Sequence, residues 1–169
     1  NPGNRCYYCK RHIFTAIIQA AREEGFHLLL DGTNASDRVD DRPGMQALRE
    51  LEVLSPLRLC GLTKAEIRRR SREAGLFTWD KPAYACLATR IPTGTAITLE
   101  DLQRTERCEA FLMELGFSGF RIRLMDGCAR LEMLEAQFPM LLAHREAVLE
   151  RLKKDYTRIL LDLEARHEQ

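Results

Sequence analysis

The 169-residue chain carries six cysteines, Cys6, Cys9, Cys60, Cys86, Cys108 and Cys128, and three of them stand where thiolate chemistry can occur. In "CYYC" a single turn brings the sulfurs of Cys6 and Cys9 to one side, so the pair can share one metal or cluster. Alone it is half a site. Lys10, Arg11 and a helix predicted to begin at Cys9 favour negative charge there. The spacing leaves three readings open: a cluster, a structural zinc site with His12, or a simple dithiol. Cys86 lies in "KPAYACLATR", between Lys81 and Arg90. An electropositive loop suits a nucleophile or a soft-metal ligand, and the competing reading is a small buried apolar residue. Cys60 and Cys108 are assigned to the core, and Cys128 receives no function.

Two further groups of polar residues are candidates. "DGTNASD" offers Asp31, Thr33, Asn34 and Asp37 for hydrogen bonds to a nucleotide or amide, although the same string makes an ordinary turn. Arg121 and Arg123 alternate with Ile122 and Leu124, which sets both guanidiniums on one side of a strand as a fork for phosphate or carboxylate. Arg130 and Glu132 fit the neighbouring strand, where cross-strand ion pairing on a solvated face is the simpler account.

These residues need elements to hold them. Apolar spacing predicts a helix from Cys9 to Glu24, closed by Gly25. "FHLLLDGTNASD" reads as a buried strand presenting its polar end, the edge where open α/β sheets gather ligands. A short helix with Met45, Leu48 and Leu51 follows Pro43-Gly44, and "VLSPLRLCGL" reads as a second strand. Thr63 and Glu66 form a capping box for Lys64 to Ala74. A loop with two prolines then carries Cys86. Beyond it come a helix capped by Thr98 and ending at Gly116, a hairpin turning at Asp126-Gly127, a helix from Pro139 to about Tyr156, and a last strand, "RILLDLE". The order predicts an α/β chain: a partial parallel-sheet domain over 1–92, then a small α+β domain over 93–169.

Lys and Arg total 26 against 25 Asp and Glu. That balance provides no field for nucleic acid or an anionic membrane, and only a local Arg cluster for a small anion. No apolar run approaches the ~18 residues of a span. A Cys-x-x-Cys pair in a chain of this size points to metal or redox chemistry in the cytoplasm rather than to disulfides.

Taken in order, "NPGNRCYYCK", "DGTNASD", "SPLRLCGLTKAEIRR", "WDKPAYACLATRIPTG", "LGFSGFRIR" and "ARLEM" resemble the LarE-type ATP-dependent sulfur transferases. These belong to the PP-loop ATP pyrophosphatase superfamily and serve nickel-pincer nucleotide cofactor biosynthesis. The resemblance covers nearly the whole chain. It implies a partial PP-loop domain and a pyridinium carboxylate mononucleotide substrate, adenylylated by ATP with Mg²⁺ and then thiolated, with phosphate or AMP as further ligands. Some members give up the sulfur of the cysteine matching Cys86 and keep dehydroalanine. Others hold a 4Fe–4S cluster on three cysteines, here Cys6, Cys9 and Cys86, and this chain resembles those. Lys81 and Arg90 would then border the sulfur site. Glu109, Arg121, Arg123 and Glu132 would lie near the substrate phosphate and metal. A homo-oligomer is implied.

The family's Ser-Gly-Gly-x-Asp-Ser phosphate loop does not occur in this sequence and is expected upstream of Asn1. "LDLEARHEQ" departs from the usual ending, so no site residue is assigned there. Three rivals remain: sacrificial transfer from Cys86 alone, a non-catalytic module braced by zinc, and a PP-loop enzyme acting on another carboxylate or on tRNA.

Overall fold

A computed structural model describes residues 1–37 and 43–166. The chain divides into two compact units, Pro2–Lys81 and Pro82–Gln169, with Asn1 belonging to the second. Helix and sheet are mixed, as the sequence predicts.

In the first unit, α1 (Arg5–Glu23) starts four residues before its predicted start, so Cys6 and Cys9 both lie within it. The Asn-Pro-Gly-Asn entry is tight enough to begin the helix early: Arg5 N–H donates to the Pro2 carbonyl at 2.9 Å and Tyr7 N–H to that of Asn4 at 2.9 Å. At the far end Phe26 N–H reaches back to the Ala21 carbonyl at 2.8 Å past Gly25, which closes the last turn. α2 (Pro43–Glu50) packs on α1, and Met45, Leu48 and Val53 form a small core with Phe14, Leu29 and Leu51 against it. Proline at the first helical position loses nothing, because that N–H has no intrahelical partner.

The two strands expected here are corrected. Phe26–Leu30 and Leu54 make only one parallel bridge, Leu30 to Leu54, closed by Asp31 N–H to the Leu54 carbonyl at 2.8 Å. Leu29 faces the core, whereas Phe26, Leu28 and Leu30 are exposed. The alternation is that of a strand, but a buried strand needs cover on both faces and more neighbours than one short segment. The "SPLRL" part of the second expected strand is instead the short helix α3 (Pro56–Leu59), with Pro56 at its start. Cys60, expected in a core strand, caps that helix and is exposed. α4 (Lys64–Glu73) follows, with its predicted capping box fully formed.

The second unit holds the larger core. After a 3₁₀ turn (Leu87–Arg90), Thr98 caps α5 (Leu99–Glu114) by accepting from Asp101 N–H. β1 (Arg121–Met125) and β2 (Cys128–Glu132) form the predicted antiparallel hairpin, pairing Arg121 with Glu132 and Arg123 with Arg130. Asp126 and Gly127 turn it with φ of 48° and 78°, the left-handed pair that a two-residue hairpin demands. The expected single helix after Pro139 is two, α6 (Phe138–Ala143) and α7 (Arg145–Leu152), hinged at His144. β3 (Ile159–Leu161) lies parallel to β2, giving the order β1-β2-β3. Cys108, Leu112, Ile122, Ala129, Leu131, Met133 and Leu152 are its most deeply buried apolar side chains. None of the described helices is long and apolar enough to cross a membrane.

Candidate functional site

Cys86 is an exposed free thiol at the entry to the 3₁₀ turn of the second unit. Its own carbonyl is held twice by one residue: Thr89 N–H donates to it at 2.9 Å and the Thr89 hydroxyl at 2.7 Å. The loop on either side is clamped by arginines. Arg90 is buried and forms a fork with Glu109 of α5, Nε to Oε1 at 2.7 Å and Nη2 to Oε2 at 3.0 Å, with both side chains fully buried. Its remaining nitrogen, Nη1, donates to the Thr89 hydroxyl at 2.9 Å and the Ala85 carbonyl at 3.4 Å. Glu109 Oε1 also accepts from the Ile122 N–H at 2.9 Å, which ties α5 to β1. A carboxylate buried this way is tolerated because a guanidinium and an amide together occupy its lone pairs.

Arg121 and Arg123 face the same side of β1, as the alternation predicts, and each grips this loop. Arg121 donates to the carbonyls of Phe120 at 2.6 Å and Ala83 at 3.0 Å. Arg123 Nη1 donates to the Thr89 carbonyl at 2.5 Å, and its Nε is shared between the two oxygens of Glu132 at 3.0 Å each. Burial, and after it the neighbouring Arg90 charge, lowers the pKa of Arg121 from its ordinary value. Glu132 further receives Arg130 at 2.9 Å and Arg166 at 3.3 Å. Three guanidiniums thus meet one carboxylate beside an open groove lined by Arg90, Pro92, Arg123, Met125, Arg130 and Glu132. This corner is locally positive in a chain of net charge +1.

Tyr84 lies over the Arg90 guanidinium, 5.3 Å from ring centroid to Cζ. Desolvation, then its hydrogen bond and proximity to Glu109, push the phenol up to about 12, so it stays protonated at neutral pH.

The first unit holds the other candidates. Cys6 and Cys9 are both exposed free thiols, one helical turn apart on α1 and therefore on one face. Beside them α2 comes close. A Cβ at Gly44 would stand 3.0 Å from Lys10 Cδ and 3.4 Å from the Cys6 carbonyl oxygen, so glycine permits this approach. Within this unit no third His, Cys, Asp or Glu joins the pair as a metal-sized group among the described residues.

Asp31, Thr33, Asn34 and Asp37 knit one loop. Asp31 Oδ1 accepts from the Ser55 hydroxyl at 2.6 Å, and Oδ2 from the Thr33 hydroxyl at 2.5 Å. Burial alone would raise the Asp31 carboxyl, but these hydrogen bonds, with Lys10 nearby, outweigh it and hold the group below its ordinary value. Asn34 N–H donates to Asp37 Oδ2 at 3.0 Å, and Arg58 donates to the carbonyls of Asn34 at 3.3 Å and Asp37 at 2.7 Å. Lys81 ends this unit with its carbonyl accepting from Arg68 at 2.7 Å.

The structure therefore brings Arg90, Glu109, Arg121 and Arg123 together around the Cys86 loop, with Glu132 attached through Arg123. Cys6 and Cys9, Lys81 and the Asp31 loop belong to the first unit. Thr89, Tyr84, Arg166 and Ser55 escape the sequence reading. Thr89 has no spacing signal and is conspicuous only as the hydroxyl residue next to Arg90.

No family model matches the chain. A pyridinium-3,5-bisthiocarboxylic acid mononucleotide synthase of Lactiplantibacillus plantarum is 30% identical over 164 residues, covering 96% of this chain and 59% of the relative. An uncharacterised protein of Synechocystis sp. is 42% identical over 133 residues, 79% of this chain and 50% of that protein. One from Methanocaldococcus jannaschii is 27% identical over 165 residues, 97% and 64% of the two chains. The chain thus spans half to just under two thirds of the length of these relatives.

Proposed function

We propose, from the 30% identity over 96% of the chain to a pyridinium-3,5-bisthiocarboxylic acid mononucleotide synthase, that the chain is part of a LarE-type sulfur transferase and delivers sulfur, in an ATP-dependent reaction, to a pyridinium carboxylate mononucleotide. The observation that carries the reading is the exposed Cys86 thiol on a loop pinned from beneath by Arg90–Glu109 and Arg121. A reactive group on a loop gains precision when the residues holding it are themselves locked by burial.

The chemistry requires activation, because a carboxylate oxygen is a poor leaving group. Adenylylation with Mg²⁺ makes the acyl carbon electrophilic. A sulfur nucleophile forms the C–S bond as the C–O bond to AMP breaks, and AMP departs with the electron pair. Arg121, Arg123 and the Glu132 cluster are assigned to the anionic end of the substrate. The Asp31–Asp37 loop is assigned to the nucleotide in a PP-loop fold, with Lys81 and Arg90 bordering the sulfur. The setting is cytoplasmic and the assembly homo-oligomeric.

Cys6, Cys9 and Cys86 suit an iron–sulfur centre in donor type, since all three are free and exposed and the first two share a helix face. A 4Fe–4S cluster on them would supply a transferable sulfide at its fourth iron. A second reading is the sacrificial route, which needs only the exposed Cys86 thiol. In that route Cys86 loses its Cβ–S bond and its α-proton and is left as dehydroalanine.

Single-turnover sulfur transfer by the complete enzyme, followed by the intact mass of the protein, tests both. An unchanged mass with loss of labile sulfide supports the cluster. A loss of about one H₂S at Cys86 supports the sacrificial route. Full transfer by Cys86→Ser refutes the assignment of Cys86.

A further inference from the structure

We infer that Thr89 is a positioning residue for Cys86, the last link of a hydrogen-bonded relay that begins at the buried Glu109 carboxylate. The inference rests on the reading of Cys86 as the sulfur-handling thiol. The relay is continuous. Glu109 fixes Arg90 with two bonds of 2.7 and 3.0 Å, Arg90 Nη1 donates to the Thr89 hydroxyl at 2.9 Å, and that hydroxyl donates to the Cys86 carbonyl at 2.7 Å. Because the hydroxyl accepts from Arg90, its own proton is directed to Cys86. The Thr89 N–H adds a second bond to the same carbonyl, and Arg123 holds the Thr89 carbonyl at 2.5 Å.

Thr89 touches no reacting atom. Its effect is to fix the peptide plane after Cys86, and hence the direction of the Cα–Cβ bond that carries the sulfur. The fully buried Glu109 end makes the relay stiff there, because a donor or acceptor that lets go finds no water. Arg90 and Glu109 are fully buried side chains, and only the last link reaches the surface.

Thr89→Val keeps the shape and removes the hydroxyl, whereas Thr89→Ser keeps the hydroxyl. The chain, verified free of iron, is alkylated with iodoacetamide and the adducts at Cys86 and Cys60 are counted by mass. Cys60 is exposed in the other unit and serves as the internal standard. Cys108 is buried and stays unlabelled while the second unit is folded.

Loss of one hydrogen bond releases the turn and raises the Cys86-to-Cys60 rate ratio about fivefold in Thr89→Val. Thr89→Ser returns the ratio to that of the parent. The inference is overturned if Thr89→Val leaves the ratio unchanged with Cys108 protected, or if Thr89→Ser raises it equally. Should Thr89→Val label Cys108, Thr89→Ala takes its place under the same criteria. The readout needs no sulfur transfer, so an inactive parent enzyme would refute the function while leaving this result to stand or fall alone.

Discussion

Replacing Glu109 by alanine removes the anion from a pair whose side chains are both fully buried. Arg90 then keeps a desolvated positive charge, and Ile122 N–H loses its acceptor. Breaking a buried pair by removing one partner costs about 3–5 kcal/mol. That is a large share of the 5–15 kcal/mol typical of a domain and corresponds to a fall in Tm of roughly 15–30 °C. Urea unfolding followed by circular dichroism, with hydrogen exchange over β1 and α5 to assign the transition, measures it. Glu109→Gln, which keeps an acceptor but not the charge, falls between parent and alanine. The double variant Arg90→Met/Glu109→Leu recovers at least about half of the loss, because the uncompensated charge is gone. A Glu109→Ala protein within about 1 kcal/mol of the parent would refute the claim that this pair holds the Cys86 loop to the core.

Two further outcomes concern pH. Cys108 is pushed up from 9.0 to about 12 by burial first and by the Asp155 carboxylate second. Its thiol remains protonated in the folded state while the unfolded chain ionises, so its contribution is complete below pH 9 and fades as pH rises toward 12. Tyr156, likewise raised to about 12, acts in the same sense, and Cys108→Ala flattens the alkaline fall in unfolding midpoint. Asp31 behaves oppositely: its folded carboxyl lies below the ordinary value, so its contribution is present above about pH 4 and lost as pH falls. Asp31→Asn therefore shows a shallower acid decline, seen in pH-dependent unfolding of the first unit. A steeper decline would mean that Ser55 and Thr33 do not stabilise the anion.

Local rules carried far in the second unit. Thr98, Asp126-Gly127 and the alternation of Ile122 and Leu124 each determine their own neighbourhood, and all three elements form as read. They were less informative in the first unit, where "FHLLL" and "VLSPLRL" read as strands by apolarity. A strand is completed by neighbours distant in sequence, and here one bridge forms while Pro56 opens a helical turn instead. The early start of α1 was hidden because Pro2 and Asn4 supply backbone acceptors that no side-chain pattern announces.

At the site, residue types pointed to Cys86, Arg90, Arg121 and Arg123, but not to their partners. The sequence suggested that the two strand arginines form an anion fork, and the structure shows both also spending donors on loop carbonyls. Backbone carbonyls carry no identity in a sequence, which is why Thr89 and the Ala83 and Ala85 contacts were invisible. Glu109 entered only through the family resemblance, as a residue near the substrate phosphate and metal, and no spacing announces its complete burial against Arg90.

The central proposal is that three thiols, two on α1 and one on the clamped loop, serve one inorganic centre. Anaerobic reconstitution followed by iron and acid-labile sulfide analysis decides it. We expect about four irons per chain in the parent and loss of that complement in each of Cys6→Ala, Cys9→Ala and Cys86→Ala. An undiminished complement in Cys86→Ala, or zinc in place of iron in the parent, would contradict the shared centre.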